Sequence, residues 1–424
     1  MKKIILVIIL LLTINVKAET ITITSNTTIK DKEIVDNRDE SNVIIVNNGS
    51  LEIKDSTIKK EGNVSDNVNN SFNNTALVVN DKSKLTCDKL EVNTKGDYAH
   101  GIYFKNNSES NIKNTKIITN NKYSMGIIND GGNITIDNSE IETQEHDSSG
   151  IYVINGSTEI NDSKIITDAV DSPLLKVASK VEVNDTILKA NNSESIVGIP
   201  GANIKLTKVE LESRNINALS SKFKNIYFYN PTDSEDSISF TAKDSKINTI
   251  IGNTFNVVNS NVTINLENNE INNINGIFLE SLVDENIESK NSINLSLVKQ
   301  LIKGNIVLDK EATLNISLDN SEYIGAINPN NGAHEVNITI TKDSKLTLTG
   351  NIYVNSLTNG DYDNNNIDLN GYTLYINNEE MNKENIKHLN EKNDKMYIVL
   401  GFIIGAFLGY SVIYLYFKTK KKKK

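Results

Sequence analysis

The chain has 424 residues and a formal net charge of −10, enough length for a large core or an elongated array. Arginine occurs only as Arg38 and Arg214, and an acidic, arginine-poor surface argues against nucleic acid as a partner. The single cysteine, Cys87, excludes an intrachain disulfide, and only four prolines interrupt the chain, so long β structure is permitted.

The N-terminus carries Lys2 and Lys3, an apolar run over 4–14, and Val16-Lys17-Ala18. This predicts a secretory signal peptide over 1–18, with the mature chain starting at Glu19.

A repeat then dominates. Ile53, Cys87, Ile112, Ile136, Ile160, Val183 and Leu206 occupy equivalent places, with steps of 34, 25, 24, 24, 23 and 23. Five residues after each stand Ile58, Val92, Ile117, Ile141, Ile165, Leu188 and Leu211. Between the two columns lies an Asn/Asp-Ser/Thr pair, as in Asp55-Ser56, Asn114-Thr115, Asn138-Ser139, Asp162-Ser163 and Asp185-Thr186. Asn and Asp tolerate the left-handed region and close tight turns. A further motif recurs as Gly101-Ile-Tyr103, Gly126-Ile-Ile128 and Gly150-Ile-Tyr152. Each repeat thus offers about three short strands. Strands this short must pair with their counterparts in the next repeat, which predicts an all-β, single-stranded parallel β-helix with coils about 4.8 Å apart. Cys87 takes an Ile/Val place and reads as a small buried hydrophobe.

Regular coils are expected over 19–217. From 218 to 378 the period fades while strand-like runs continue, which reads as irregular and closing coils of the same solenoid; a separate small β domain is the alternative. Residues 379–395 are polar and read as a stalk. Residues 396–417 are uncharged and apolar, spanning roughly 33 Å as a helix, and 418–424 are lysine-rich. This predicts a single-pass transmembrane helix with its N-terminus outside and a cytoplasmic tail. Gly401, Gly405 and Gly409 form an i+4 stripe on which two such helices can approach as a homodimer. Without leader and tail lysines, 35 basic residues face 54 acidic ones, about −19 for 19–395.

The stretches 312–328, 343–358 and 367–376 resemble the closing coils of pectin-lyase-like, right-handed β-helix surface proteins of bacteria, which are adhesin-like or autotransporter-passenger-like. The resemblance covers about 19–378. It implies the right-handed sense, cell-surface display, and adhesion to host or glycan. The chain departs from autotransporters in lacking a C-terminal barrel of amphipathic strands, and it carries no Leu-Pro-x-Thr-Gly sorting signal.

Chemistry is weakly signalled. Enzymes of this fold need convergent carboxylates or a basic residue beside Ca²⁺, but His100 sits in the recurring x-Gly-Ile motif and Arg214 has no local acidic cluster. His100, His146, His334 and His388 lack zinc spacing. Asp361 and Asp363 read as a solvated loop with at most weak Ca²⁺ affinity. No cofactor, metal or catalytic residue is expected. Tyr103, Tyr152, Tyr227 and Tyr229 are the candidate ligand-facing aromatics, with Phe104 and Phe228 beside them; alternation sends half of each run inward. The sequence therefore favours a non-enzymatic, membrane-anchored surface protein that presents a β-helix to host surface protein or glycan. A polysaccharide lyase or hydrolase, and a structural spacer without a ligand, are the alternatives.

Overall fold

The computed structural model describes residues 19–64, 72–106, 108–214, 224–382 and 385–386. The expected leader, the 396–417 span, the lysine tail and Gly401, Gly405 and Gly409 lie outside the described residues. Among the described residues, no helix is long and apolar enough to cross a membrane.

Residues 127–143 show how the sequence builds one coil. Ile127–Asp137 supplies strand segments on two faces, bending near Gly131 and Gly132, and Glu140–Thr143 supplies the third. Alternation turns Ile127, Ile134, Ile136, Ile141 and Thr143 inward and buries them. Each meets its counterpart one coil on: Ile127 faces Ile151, Ile136 faces Ile160, Ile141 faces Ile165 and Thr143 faces Thr167, all in parallel register. No single coil could bury these side chains; stacking makes one continuous apolar column from many weak units.

We call the three faces A, B and C. Face A begins at Asn26–Lys30, face B at Glu33–Asp36 and face C at Ile21–Ile23. About fourteen coils stack among the described residues, forming an all-β parallel solenoid of right-handed type. At about 4.8 Å per coil the shaft is roughly 65 Å long. Face A runs unbroken in parallel ladders to Ser356–Asn359. The later residues therefore extend the same ladder.

The period fades for a local reason. The place of Leu206 is taken next by Ala242, Leu266, Leu297 and Leu318. Much of the extra length lies at the corner between faces C and A, in 230–237 and 283–291, where no ladder constrains it. The added core volume is aromatic: Phe228, Phe240, Phe255 and Phe278 pack with ring centroids 5.4–6.2 Å apart.

The corner between faces A and B is the most regular feature. Asp55, Asn114, Asn138, Asp162 and Asp185 adopt φ of 45–48°, the left-handed region. The residue that follows turns its polar side chain inward. The Thr115 amide donates to Ser139 Oγ at 3.1 Å, Ser139 to Ser163 Oγ at 3.0 Å, and Ser163 to Thr186 Oγ1 at 3.2 Å. Asn269, Gln300, Ser321 and Ser344 continue this column further along. Corner amides that no ladder reaches are thereby satisfied. Cys87 lies fully buried opposite Ile53 and Ile112.

The two ends differ. At the C-terminal end Glu379–Met381 turns back antiparallel onto Leu374–Ile376, through Asn377 and Asn378 at φ 49° and 64°. Two consecutive left-handed residues make the tight hairpin turn that suits strand twist. Met381 and Ile386 are buried beneath it. Residues 379–381 thus belong to the end of the solenoid on face C, and any stalk begins after them. At the N-terminal end the first coil pairs, among the described residues, only with the second.

Candidate ligand-facing surface

Face C gathers tyrosines on its outer side. Register places Val78, Tyr103, Ile128, Tyr152, Lys176, Val197, Tyr227, Asn256 and Glu280 in one outward column. Three of the four aromatics expected from the sequence therefore share a line along the shaft. Tyr229 lies beside it, stacked on Tyr227 with centroids 5.6 Å apart and planes 7° from parallel. Their neighbours Phe104 and Phe228 point into the core.

The four tyrosines sit in different surroundings. Tyr103 is only 3% exposed, packed with Val78 and Ile128, and its hydroxyl donates to Asp130 Oδ2 at 3.3 Å. Burial pushes its phenol up, and the Asp130 charge adds to this. Tyr152 is half-buried with Lys176 Nζ 4.9 Å from its ring centroid, a cation–π distance. Tyr227 carries Lys224 Nζ 3.3 Å over its face. Burial lowers the Lys224 ammonium, while Glu194 and Asp171 pull the other way. Burial likewise raises the Tyr227 phenol.

Loops wall one side of this pair. Asn230 Oδ1 accepts from the Ser234 amide at 3.1 Å and ties the 230–237 loop to itself. The Ser289 amide donates to Asp233 Oδ1 at 2.8 Å, and Asn259 Nδ2 donates to the Ser289 carbonyl at 2.6 Å. The inserted corners are thus laced to one another beside Tyr229. The result is a shelf of two parallel rings, an ammonium and a rim of amides and carboxylates. With Lys224 and Tyr229 both packed on Tyr227, the cluster offers ring edges to the apolar side of a sugar and polar groups to its hydroxyls.

Sequence reasoning missed a second stack. Tyr353 and Tyr375 lie face to face at 4.5 Å and 2° on outward positions of face C. The signal was present: Ile352-Tyr-Val354 repeats the tripeptide at 151–153. Lys224 was also missed, because nothing in sequence places it over a ring three residues away.

The remaining candidates are occupied structurally. His100 is buried, its Nδ1 accepts the Met125 amide at 3.1 Å, and burial pushes its pKa down to about 4. Arg214 Nε pairs with Glu212 at 2.7 Å on the surface. Asp361 caps its own turn, accepting from the Asn365 amide at 2.8 Å. Among the described residues, no group of three or more His, Cys, Asp or Glu side chains is placed to hold a metal ion. An open groove of about 640 Å³ runs along the A–B corner past Asn114, Lys116, Asn138, Glu140 and Lys164. Its charges answer one another, with Glu140 lying 3.3 Å from Lys116 and 3.6 Å from Lys164.

No family model, curated protein or solved structure matches this chain.

Proposed function

We propose that this chain is a membrane-anchored, cell-surface protein whose β-solenoid presents face C to glycan or host-surface ligands, in the manner of pectin-lyase-like adhesins. The observation that carries the reading is the Tyr227–Tyr229 stack with Lys224 above it, flanked by loops inserted at the corner between faces C and A. Aromatic shelves and short amide-rich loops are the means by which rigid scaffolds bind extended polymers. The sequence supplies the address, through the leader at 1–18 and the apolar span at 396–417.

The test is binding of residues 19–395 to an array of glycans and matrix proteins, with product release from the same polysaccharides assayed in parallel. Selective binding that falls at least tenfold in a Tyr227→Ala/Tyr229→Ala variant supports the reading. Polymer breakdown establishes an enzyme instead. Silence in both assays leaves a structural spacer.

A further inference from the structure

We propose that the first coil is a self-complementary end through which two copies of this chain join, N-terminal end to N-terminal end. The inference rests on removal of 1–18 as a leader.

The first coil is an open edge. Its strands Ile21–Ile23, Asn26–Lys30 and Glu33–Asp36 each pair on one side only among the described residues. The inward residues Ile21, Ile29 and Ile34 are only partly buried, whereas their neighbours one coil on, Ile44, Ile53 and Ile58, are fully buried. An edge of this kind, with no proline and no bulge, is a template for another strand. At the opposite end the return strand at 379–381 covers the edge of face C, and Met381 and Ile386 are buried there. That end therefore lacks a free parallel edge on face C, so head-to-tail stacking cannot engage all three faces, whereas a two-fold pair of first coils can.

The sequence of the first A–B corner specifies that pair. A two-fold axis across the shaft at the Asp31–Lys32 bond reverses strand direction, so Asn26–Lys30 runs antiparallel to Glu33–Asp36 of the second copy. Residue 29 then faces 34, and 30 faces 33. The inward pair is Ile29 with Ile34, which covers both exposed core ends. At the rim Lys30 meets Glu33, and Asp31 meets Lys32. The run Lys30-Asp31-Lys32-Glu33 is thus opposite in charge to itself when reversed. All four are solvent-accessible; Lys30 Nζ now lies 3.9 Å from Asp31, and Glu33 holds Lys59 of the next coil. The same axis leaves through face C and sets Thr22, which is exposed, against its own copy.

The experiment uses the full chain in native membranes. Cys87 is buried, so a Thr22→Cys variant gives a single reactive thiol per chain. Directly opposed residues of antiparallel strands lie within reach of a disulfide. Mild oxidation is expected to give a dimer with Thr22→Cys and none with Thr358→Cys on the fourteenth coil. Lys30→Glu or Glu33→Lys alone is expected to weaken the pair roughly tenfold, and the double exchange to restore it. The N-terminal residue is determined on the same sample. A chain that starts at Glu19 yet gives no cross-link overturns the pairing and leaves the leader intact as a reading. A chain that retains 1–18 overturns both. A cross-link without rescue by the double exchange overturns the two-fold register.

Discussion

The Ser139 amide donates to the hydroxyl of Ser163, 3.0 Å away and one coil on, while Ser139 Oγ accepts from Thr115 one coil back. Each corner serine thus joins three coils. Removing the hydroxyl in Ser139→Ala orphans the buried Thr115 amide, which costs about 1–3 kcal/mol. Hydrogen exchange at Thr115 should speed by at least tenfold, with amides on distant coils unchanged. Ser139→Thr, which keeps the acceptor, should leave it slow.

Gly126 explains the Gly-Ile motif by space rather than by backbone freedom. A Cβ there would lie 2.5 Å from Ile141 Cγ2 and 2.6 Å from the Gly150 carbonyl oxygen. Gly126→Ala should cost about 1–3 kcal/mol through forced separation of two coils. Gly350→Ala, whose nearest contact is the Ala326 methyl at 3.1 Å, should cost less. Urea denaturation of the two variants checks the order.

His100 is expected to make the fold sensitive to mild acid. Its pKa falls from 6.5 unfolded to about 4 folded, because burial disfavours the imidazolium. Its contribution is complete above 6.5 and disappears as pH drops towards 4, since the unfolded chain binds the proton more readily. The full span is worth about 3 kcal/mol. His100→Met, which matches Met125 in the next coil, should flatten the stability profile between pH 6.5 and 4. An unchanged profile would assign the acid sensitivity elsewhere.

Cys87 should be silent to thiol reagents. It is fully buried, and burial pushes its thiol up, so little thiolate exists at neutral pH. Ellman's reagent should find no thiol in the native chain and one per chain in guanidinium. Reaction in the native state would show that the third coil opens readily.

Much of this architecture was legible because period-two alternation and a fixed step leave marks in every coil. Ile112, Ile136 and Ile160 fell on one inward column because stacking forces identical registers on identical places. The Asn/Asp-Ser/Thr pairs were visible as turns, but their second residue acts through a contact 23 or 24 residues away, which no local rule reveals. The later coils blurred because insertions at 230–237 and 283–291 shift the step without touching the faces. Alternation was enough to send Phe104 and Phe228 inward. It could not show that Tyr103 lies sheltered at 3% exposure while Tyr227 and Tyr229 are half-buried and stack on each other. Lys224 over Tyr227 depends on a strand start that only the folded coil defines.

The hairpin at 379–381 has a mechanical consequence. Every ladder hydrogen bond runs along the shaft, so a load applied between the two ends falls on the coils in series. The first element to yield is the three-residue return strand, the only antiparallel grip among the described residues and the last one before the C-terminal segment. Once it lets go, coils peel singly, and each releases about 24 residues, roughly 80 Å of extended chain. A shaft of this design dissipates tension in steps, lengthening coil by coil while those nearer the N-terminus stay folded.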